Sequence, residues 1–370
     1  MRRIMSLIQE FALEDHKADN AGIELLREVY PYLDRELSGD SGPAPAKLQE
    51  ALTTGNFPLY FNRVIDAAVE KRYNYRKGQW RDYCRLTEVP NYLTVERYRM
   101  SEFDTLVKRR EKQEARTGYI YEHRYQMRVA DYAKQIDFSH QILVNDDKGA
   151  FDDIIMKLGD SGARFDDFYV SALYDNGLSQ AALLALGALY AGTGMLTTAN
   201  LTIAITAFAM RVDARGNPLN IPPKFLVIPP ILRPAANAIL ESEKIAELAT
   251  NSINPVRSYG IQIKEDPYIA FVAPNVPWYL FADPGDVAAV TVCRRAGLGD
   301  RVYVYAKAPD KMPMSAAGAM GTGDWRTGSF LTGDIELDVE STIGSRSDAP
   351  GTLVGITDAN GIFWSSGTTP

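Results

Sequence analysis

The residues of this chain best suited to chemistry are the aspartates in the stretch LVNDDKGAFDDIIMKLGDSGARFDDFYVSALYDN, Leu143 to Asn176. Aspartates at short spacing can bind a divalent cation or act as an acid–base pair. They occur at positions 146–147, 152–153, 160, 166–167 and 175. A calcium loop needs acids at its first, third and fifth positions, Gly at the sixth and Glu at the twelfth. This stretch does not supply that register.

The apolar residues between these aspartates recur at helical spacing and predict one long helix over Asp147–Asp175. They are Phe151, Ile154, Ile155, Leu158, Phe165, Phe168, Tyr169, Ala172 and Leu173. The aspartates lie mostly off this stripe, so we expect helix caps and a solvated face, with Asp160 paired to Arg164 four residues later. Gly159 and Gly162 each cost ~1 kcal/mol against alanine in a helix, which predicts a bend or a close backbone approach.

No nucleophile, phosphate or metal motif stands in a suitable context. GDSG, the nucleophile motif of trypsin-like serine proteases, occurs at Gly39–Gly42 in a linker and at Gly159–Gly162 inside the predicted helix. Only His16, His123 and His140 exist to partner a serine, and the two cysteines, Cys84 and Cys293, are far apart. We therefore predict no catalytic residues, no metal and no cofactor.

The wider chain mixes helices with short strands and shows no regular βαβ alternation, which predicts an α+β fold. KFLVIPP is expected to be a buried strand, and ILRPAANAILESEK a helix with Pro234 in its first turn. Residues 176–210 carry no charge, but polar side chains and two glycines interrupt them. They are expected to form two buried elements rather than a membrane span, the second a helix that starts near Thr198.

The segment 71–134 has a charge of its own. It holds sixteen Lys or Arg against nine Asp or Glu, a net charge of +7, within a chain of net charge −7. The alternation from Tyr119 to Val129 predicts a strand, and the polar KRREKQEARTG before it predicts an exposed hairpin tip. The candidate interface residues are Lys108, Arg109, Arg110, Lys112, Arg116, Tyr119, Tyr121 and Arg124.

Two functions fit such a hairpin. Arginines on phosphates and tyrosines stacked on bases would make a nucleic-acid clamp. Alternatively, the hairpin packs on another copy of the chain, where its positive charge meets the negative remainder.

Three stretches, in this order, resemble the major capsid proteins of Mu-like tailed phages. They are EALTTGNFPLYFNRVIDAAVEKRY, the run from YQMRVADY through the aspartate-rich stretch, and LTTANLTIAITAFAMRVDARGNPLNIPPKFLVIPPILRPAANAILES. The later WYLFADP also fits, so the resemblance covers roughly residues 50–285.

The resemblance implies the Hong Kong 97-type capsid fold. It divides the chain into an N-terminal arm (1–70), an extended-loop hairpin region (71–134), a peripheral domain (135–244) with a spine helix at 147–175, an axial domain (245–325) and C-terminal strands (326–370).

The implied function is that of a structural shell subunit. The resemblance implies that such a subunit would be made in the cytoplasm of a bacterial host and would form hexamers and pentamers of an icosahedral phage capsid around DNA. Portal, scaffold or decoration proteins would be further partners, and no membrane is involved. An encapsulin-like compartment shell and a nucleic-acid-binding protein that uses residues 71–134 are the alternatives.

Overall fold

The computed structural model describes residues 69–100, 106–115, 117–120, 122–138, 150–213, 215–242, 253–269, 275–307, 335–346 and 355–367. These residues form two compact units. The described residues of unit 1 fall within Met1–Lys77, Tyr132–Ala163 and Arg301–Ser341, and those of unit 2 within Gly78–Asp131, Arg164–Asp300 and Thr342–Pro370. The predicted N-terminal arm, its linker and the first GDSG lie outside the described residues, apart from residues 69–70.

The described elements mix helices and strands, which confirms the predicted α+β class. The helices are α1 (Trp80–Tyr83), α2 (Ala150–Tyr174), α3 (Gly177–Ala185), α4 (Thr198–Ala209) and α5 (Arg233–Glu241). The strands are β1 (Arg85–Val89), β2 (Val95–Met100), β3 (Glu122–Phe138), β4 (Ala191–Gly192), β5 (Pro223–Ile228), β6 (Gln262–Glu265), β7 (Trp278–Ala282), β8 (Thr291–Arg295), β9 (Tyr303–Lys307), β10 (Ile335–Arg346) and β11 (Ile362–Ser365). Residues 69–75 are also helical, and short 3-10 turns lie at Pro230–Leu232, Val256–Tyr259 and Ala359–Gly361.

In unit 2, a five-stranded sheet of order β4-β11-β7-β5-β6 is covered by apolar side chains on both faces. Alternate residues of β7 point to opposite sides, as the strand period requires. Tyr279 and Phe281 join a core that includes Val170 of α2, and Leu280 joins a second core that includes Phe208 of α4. Strand β5 is buried at five of its six positions, as predicted for KFLVIPP.

The other sheet of unit 2 has the order β1-β8-β10-β3-β2. Strand β1 runs parallel to β8, and β2 runs antiparallel to β3. The later part of β10 approaches β3 so closely that a Cβ built on Gly344 would lie 2.0 Å from the carbonyl oxygen of Arg128. Only glycine allows this contact, so the role of Gly344 is to let the two strand backbones approach closely.

In unit 1, β9 pairs antiparallel with residues 336–340 of β10. The first half of α2 also belongs to this unit, and its two glycines meet other parts of it. A Cβ on Gly159 would lie 2.8 Å from the Val69 carbonyl oxygen, and a Cβ on Gly162 would lie 2.6 Å from Val302 Cγ2. The predicted close approach at both glycines is confirmed.

The long helix is present as α2, Ala150–Tyr174, and residues 147–149 of the predicted element lie outside the described part. Its buried face differs from the predicted stripe. Phe165 is only half-buried, and Phe168 is 57% exposed. The prediction is right for Leu158 and Leu173, which are buried, and Phe165 and Tyr169 pack against the core. It is wrong for Phe168, because the most buried positions of this part of the helix are Asp166 and Val170.

The charge-free stretch forms α3, β4 and α4, and α4 begins at Thr198 as predicted. The expectation that both elements are buried is wrong. Each helix buries one face and exposes the other, with Leu178 and Leu184 57% and 56% exposed on α3. Helix α5, with Pro234 in its first turn, is confirmed. Among the described helices, none combines the length and hydropathy that a bilayer crossing requires.

Candidate functional site

The basic segment contains the predicted antiparallel hairpin. Residues 95–100 of β2 pair with residues 122–127 of β3. Across the pair, Arg124 Nη1 lies 3.2 Å from Glu96 Oε1, with the two side chains 61% and 39% exposed. An ion pair this exposed contributes only ~0–1 kcal/mol, so it favours the register without holding the hairpin together.

The base of the hairpin is anchored in unit 2. Met127 and Val129 of β3 are buried in a small cluster with Val89 and Cys293. Tyr92 packs against the same cluster, and its hydroxyl oxygen accepts a hydrogen bond from Arg295 Nη1 at 2.5 Å. The apolar and polar residues that alternate in the sequence of this strand therefore correspond to its buried and exposed faces.

The tip of the hairpin, residues 106–120, is exposed at every described position except Gly118, which is half-buried. Leu106 is 95% exposed and Tyr119 is 68% exposed. The exposed candidate interface residues of the tip are Lys108, Arg109, Arg110, Lys112 and Tyr119. Arg116 and Tyr121, the other two candidates in this region, lie outside the described residues.

The tip makes a few contacts within its own unit. Arg109 Nε donates to the carbonyl of Gln113, and Arg215 Nη2 donates to the carbonyl of Tyr119. Both of these hydrogen bonds go to backbone oxygens. The tip as a whole presents positive charge to solvent.

The described aspartates of α2, and Asp175 directly after it, do not form the solvated face that the sequence pattern predicts. Asp166 is fully buried and Asp160 is 9% exposed, while Asp167 and Asp175 are half-buried. A buried carboxylate is tolerated only when it is paired or hydrogen-bonded, and each of these four has such a partner. The side chains of Asp152 and Asp153 lie outside the described part.

Asp166 is paired with a buried arginine from β8. Arg294 Nη2 lies 2.5 Å from Asp166 Oδ2 and 2.9 Å from Asp300 Oδ1, and Arg294 Nη1 donates to the Thr342 carbonyl at 3.1 Å. Asp300 is also held by Arg81, with Nε–Oδ2 and Nη2–Oδ1 distances of 2.5 and 2.9 Å. Two arginines and two carboxylates thus neutralise one another inside unit 2.

Asp167 lies beside this network and has a different character. Burial raises the pKa of its carboxyl group to about 7, Arg81 opposes the rise, and the neighbouring Asp166 and Asp266 add to it. Trp80 Nε1 donates to Asp167 Oδ1 at 3.1 Å. Asp167 therefore exchanges its proton near neutral pH.

Asp266 and Asp175 accept hydrogen bonds from side-chain hydroxyls. Ser171 and Tyr174 both donate to Asp266, whose pKa is raised by burial although these hydroxyls oppose the rise. Tyr279 donates to Asp175 at 2.6 Å. Burial raises the pKa of Tyr174 and Tyr279 well above the usual tyrosine value, so both remain protonated donors.

In unit 1, Asp160 is held by two hydrogen bonds from Arg72, with Nε–Oδ1 and Nη2–Oδ2 distances of 2.7 and 3.0 Å. Arg76 Nε lies 3.7 Å from the same carboxylate. The partners found here come from the preceding helical segment, 88 residues away in sequence for Arg72. Spacing along one helix could not have revealed them.

One sequence signal could have located Asp166. It lies three residues after Ala163 and four before Val170, both of which are buried, so it falls on the buried stripe of α2. A polar residue on an apolar stripe predicts a buried polar partner. The identity of that partner, Arg294, has no local signal.

These clusters suit a structural role. Their carboxylates are matched by arginines, hydroxyls or an indole, and within the described residues no group of three potential metal-ligating side chains comes together. The two natural cysteines, Cys84 and Cys293, are buried, and burial raises the pKa of the Cys293 thiol to about 12. The exposed basic hairpin is therefore the main candidate functional feature.

Comparison with known proteins shows a family match. A family model described as phage capsid protein matches residues 124–329, which is more than half of the chain. This range begins within β3 and includes α2 and the strands β4 to β9. No curated protein sequence matches the chain significantly.

Several solved structures are similar at low sequence identity. A chain of Mycobacterium phage Adephagia has 10% identity, with 81% of this chain and 91% of that chain covered and a TM-score of 0.47. A chain of Microbacterium phage Oxtober96 has 11% identity, with 77% of this chain and 89% of that chain covered and a TM-score of 0.47. A chain of the holo-SrpI encapsulin complex from Synechococcus elongatus has 10% identity, with 81% of this chain and 89% of that chain covered and a TM-score of 0.47. The assignment to a family depends on the family model rather than on these distant structures.

Proposed function

This chain belongs to the phage capsid protein family as a structural major capsid protein, and we propose that its copies assemble into hexamers and pentamers of an icosahedral shell around DNA. The observation that carries the proposal is the family match over residues 124–329. The proposal also includes membership of the Mu-like subgroup and synthesis in the cytoplasm of a bacterial host. It further includes the Hong Kong 97-type division of the chain into residues 1–70, 71–134, 135–244, 245–325 and 326–370.

In this proposal the hairpin of β2 and β3 stabilises the assembly rather than the subunit. Its base is buried beside Val89 and Cys293, but its tip contributes little to any core of its own unit. Two-stranded hairpins are marginally stable in water, so a projecting tip gains order by lying across another surface. That surface is a neighbouring copy, because the chain outside segment 71–134 has a net charge of −14.

The DNA inside the shell is a second, non-specific partner, and portal, scaffold or decoration proteins are others. We predict no enzymatic activity and no cofactor. The paired state of the buried carboxylates supports this prediction, because each is already neutralised or hydrogen-bonded within its own unit.

The test is assembly of the purified protein, followed by negative-stain electron microscopy and sedimentation. Wild-type protein is expected to form closed shells. Deletion of Thr105–Gly118 is expected to leave a folded subunit with a near-normal melting temperature that forms no closed shells. A matched control replaces the same residues by Gly and Ser at equal length, which separates loss of the tip's side chains from shortening of the hairpin.

Two results would contradict the proposed role of the hairpin. One is closed shells of normal size from both variants, which would make the tip dispensable. The other is a subunit that fails to fold without the tip, which would make it part of the core.

A further inference from the structure

Two contacts hold the basic hairpin against the rest of unit 2. On β2, Arg99 forms an ion pair with Asp358, whose side chain is 11% exposed. In the tip, the backbone carbonyl of Tyr119 accepts a hydrogen bond from Arg215 Nη2. All four residues belong to unit 2, so the hairpin bonds to its own unit both along a strand and at its tip.

Asp358 is a fixed point of unit 2. Its other carboxylate oxygen, Oδ1, accepts a hydrogen bond from the backbone N–H of Asn360 at 3.0 Å and so caps a 3-10 turn. Its own backbone N–H donates to the carbonyl of Ala289 at 3.3 Å. The carboxylate that Arg99 contacts is therefore held by bonds that do not involve the hairpin.

Arg215 projects from a turn that is stabilised locally. Asp213 Oδ1 accepts hydrogen bonds from the backbone N–H groups of Arg215 and Asn217, both at 2.8 Å. Val212 and Pro218 form an antiparallel bridge beside this turn. The guanidinium that reaches the tip is therefore mounted on a turn that is stabilised independently of the tip.

Strand pairing alone does not fix the direction of the hairpin. The buried cluster at its base includes Met127 and Val129. The last pair of the ladder joins Met100 to Glu122, and both side chains are exposed. A two-stranded ribbon without a buried face twists easily and is marginally stable in water. Contacts outside the ladder therefore set where the tip lies.

The two contacts leave the charges of the tip accessible. Lys108, Arg110 and Lys112 are exposed. The bond to Tyr119 uses its backbone carbonyl, and this residue remains 68% exposed. The contacts thus hold the hairpin without covering the residues expected to bind a neighbouring copy, whereas a contact that blocked assembly would cover them.

We propose that Arg99 and Arg215 are positioning residues, which fix the direction of the basic hairpin before two copies of the chain meet. A segment that is already held in its bound direction loses less conformational freedom on binding, so the contact between copies forms more readily. This inference rests on the proposed role of the hairpin in shell assembly. It adds two residues that act through the hairpin rather than on the neighbouring copy.

The direction of the hairpin can be measured in dilute subunits. Glu111→Cys in the tip and Thr206→Cys on α4 place spin labels at two exposed positions, and the two native cysteines are buried. Pulsed electron paramagnetic resonance then gives the distribution of distances between the labels. The double variant Arg99→Ala with Arg215→Ala should broaden this distribution. It should leave the melting temperature unchanged, because partly exposed polar contacts add little stability.

The rate of shell assembly, followed by light scattering without labels, is the second readout. The double alanine variant should assemble about two- to tenfold more slowly, the loss expected when a further segment must be immobilised on binding. Arg99→Lys with Arg215→Lys keeps both donors and should recover most of the rate. Arg233→Ala is the matched control, since it removes a partly exposed cation paired with Glu265 elsewhere in unit 2. It should change neither the label distances nor the rate.

The failures can be told apart. If wild-type protein forms no shells, the proposed function fails, whereas the label distances still show whether the two residues hold the hairpin. An unchanged distance distribution in the double alanine variant overturns the positioning role alone. Faster assembly of this variant also overturns it, because the contacts would then restrain the hairpin from binding. A lowered melting temperature overturns it as well, because the two arginines would then be part of the stability of unit 2.

Discussion

Arg294 Nη2 lies 2.5 Å from Asp166 Oδ2, and the two side chains are only 2% and 1% exposed. The contact joins strand β8 to helix α2 within unit 2, across 128 positions of sequence. Asp300 and the Thr342 carbonyl occupy other donor positions of the same guanidinium. The core of unit 2 is therefore organised around a buried cation as well as around apolar side chains.

Arg294→Met should destabilise the subunit by about 3–5 kcal/mol, because it leaves the Asp166 carboxylate buried without its cation. The double variant Arg294→Met with Asp166→Asn should lose less than the sum of the single changes, since no uncompensated charge remains at the pair. Urea unfolding of the subunit measures each value.

The matched control for this cycle is Arg233→Met. Arg233 pairs with Glu265, but the two side chains are 43% and 33% exposed. The change should cost less than ~1 kcal/mol. Equal losses at positions 233 and 294 would show that burial of the Arg294 pair adds nothing.

Asp167 gives the fold a defined pH dependence. Its folded-state pKa is raised by burial from 3.8 to about 7, so the folded protein binds more protons than the unfolded chain between these values. The stability contributed by this group is fully present below pH ~4, falls as pH rises through the window, and levels off above pH ~7.

Asp167→Asn should remove this dependence. The variant should match the wild type near pH 4 and exceed its unfolding free energy at pH 8, by on the order of 2–4 kcal/mol for a shift of this size. Urea titrations from pH 4 to pH 8 measure the difference. Asp283→Asn is the control, because a hydrogen bond from Lys224 lowers the pKa of Asp283. The stability that Asp283 contributes is therefore lost as the pH falls, which is the opposite pH dependence. A pH-independent effect of Asp167→Asn would refute the assignment.

Gly159→Ala should destabilise the subunit although alanine is the better helix former by ~1 kcal/mol. The new Cβ would lie 2.8 Å from the Val69 carbonyl oxygen, which is backbone and cannot rotate away. Thermal unfolding should show a lower melting temperature. Gly177→Ala is the control, because nothing lies within 4 Å of its Cβ position; it should be neutral or stabilising.

Reversing the charge of the hairpin tip should affect assembly without affecting the subunit. Replacement of Lys108, Arg109, Arg110 and Lys112 by Glu should leave the melting temperature within error, since these side chains are exposed. Shell yield should fall strongly at low salt. The wild-type yield should itself fall as salt rises, because exposed charges are screened. Yields that do not respond to either change would show that tip charge plays no part.

The sequence by itself determined the local elements of this protein. The apolar period of α2, the alternation of β3 around Met127 and Val129, the buried run of β5 and Pro234 at the start of α5 are local signals, and each element is present. Gly159 and Gly162 also predicted a close contact, because glycine in a helix lowers its stability and a favourable contact must compensate for this loss. The resemblance to phage major capsid proteins was confirmed at the level of the family by the match over residues 124–329.

Only the tertiary structure decided which sides of the helices are covered. A helix shows its period in sequence, but its buried side is set by the elements that pack on it, and these come from distant positions. Asp166 was therefore predicted to face solvent, although Arg294 lies against it in the core. Conversely, Ile203 was predicted to be buried within a charge-free stretch, although no described element covers it. The hydropathy of a side chain determines how favourable its burial would be. Whether it is buried depends on the surfaces that the folded chain places against it.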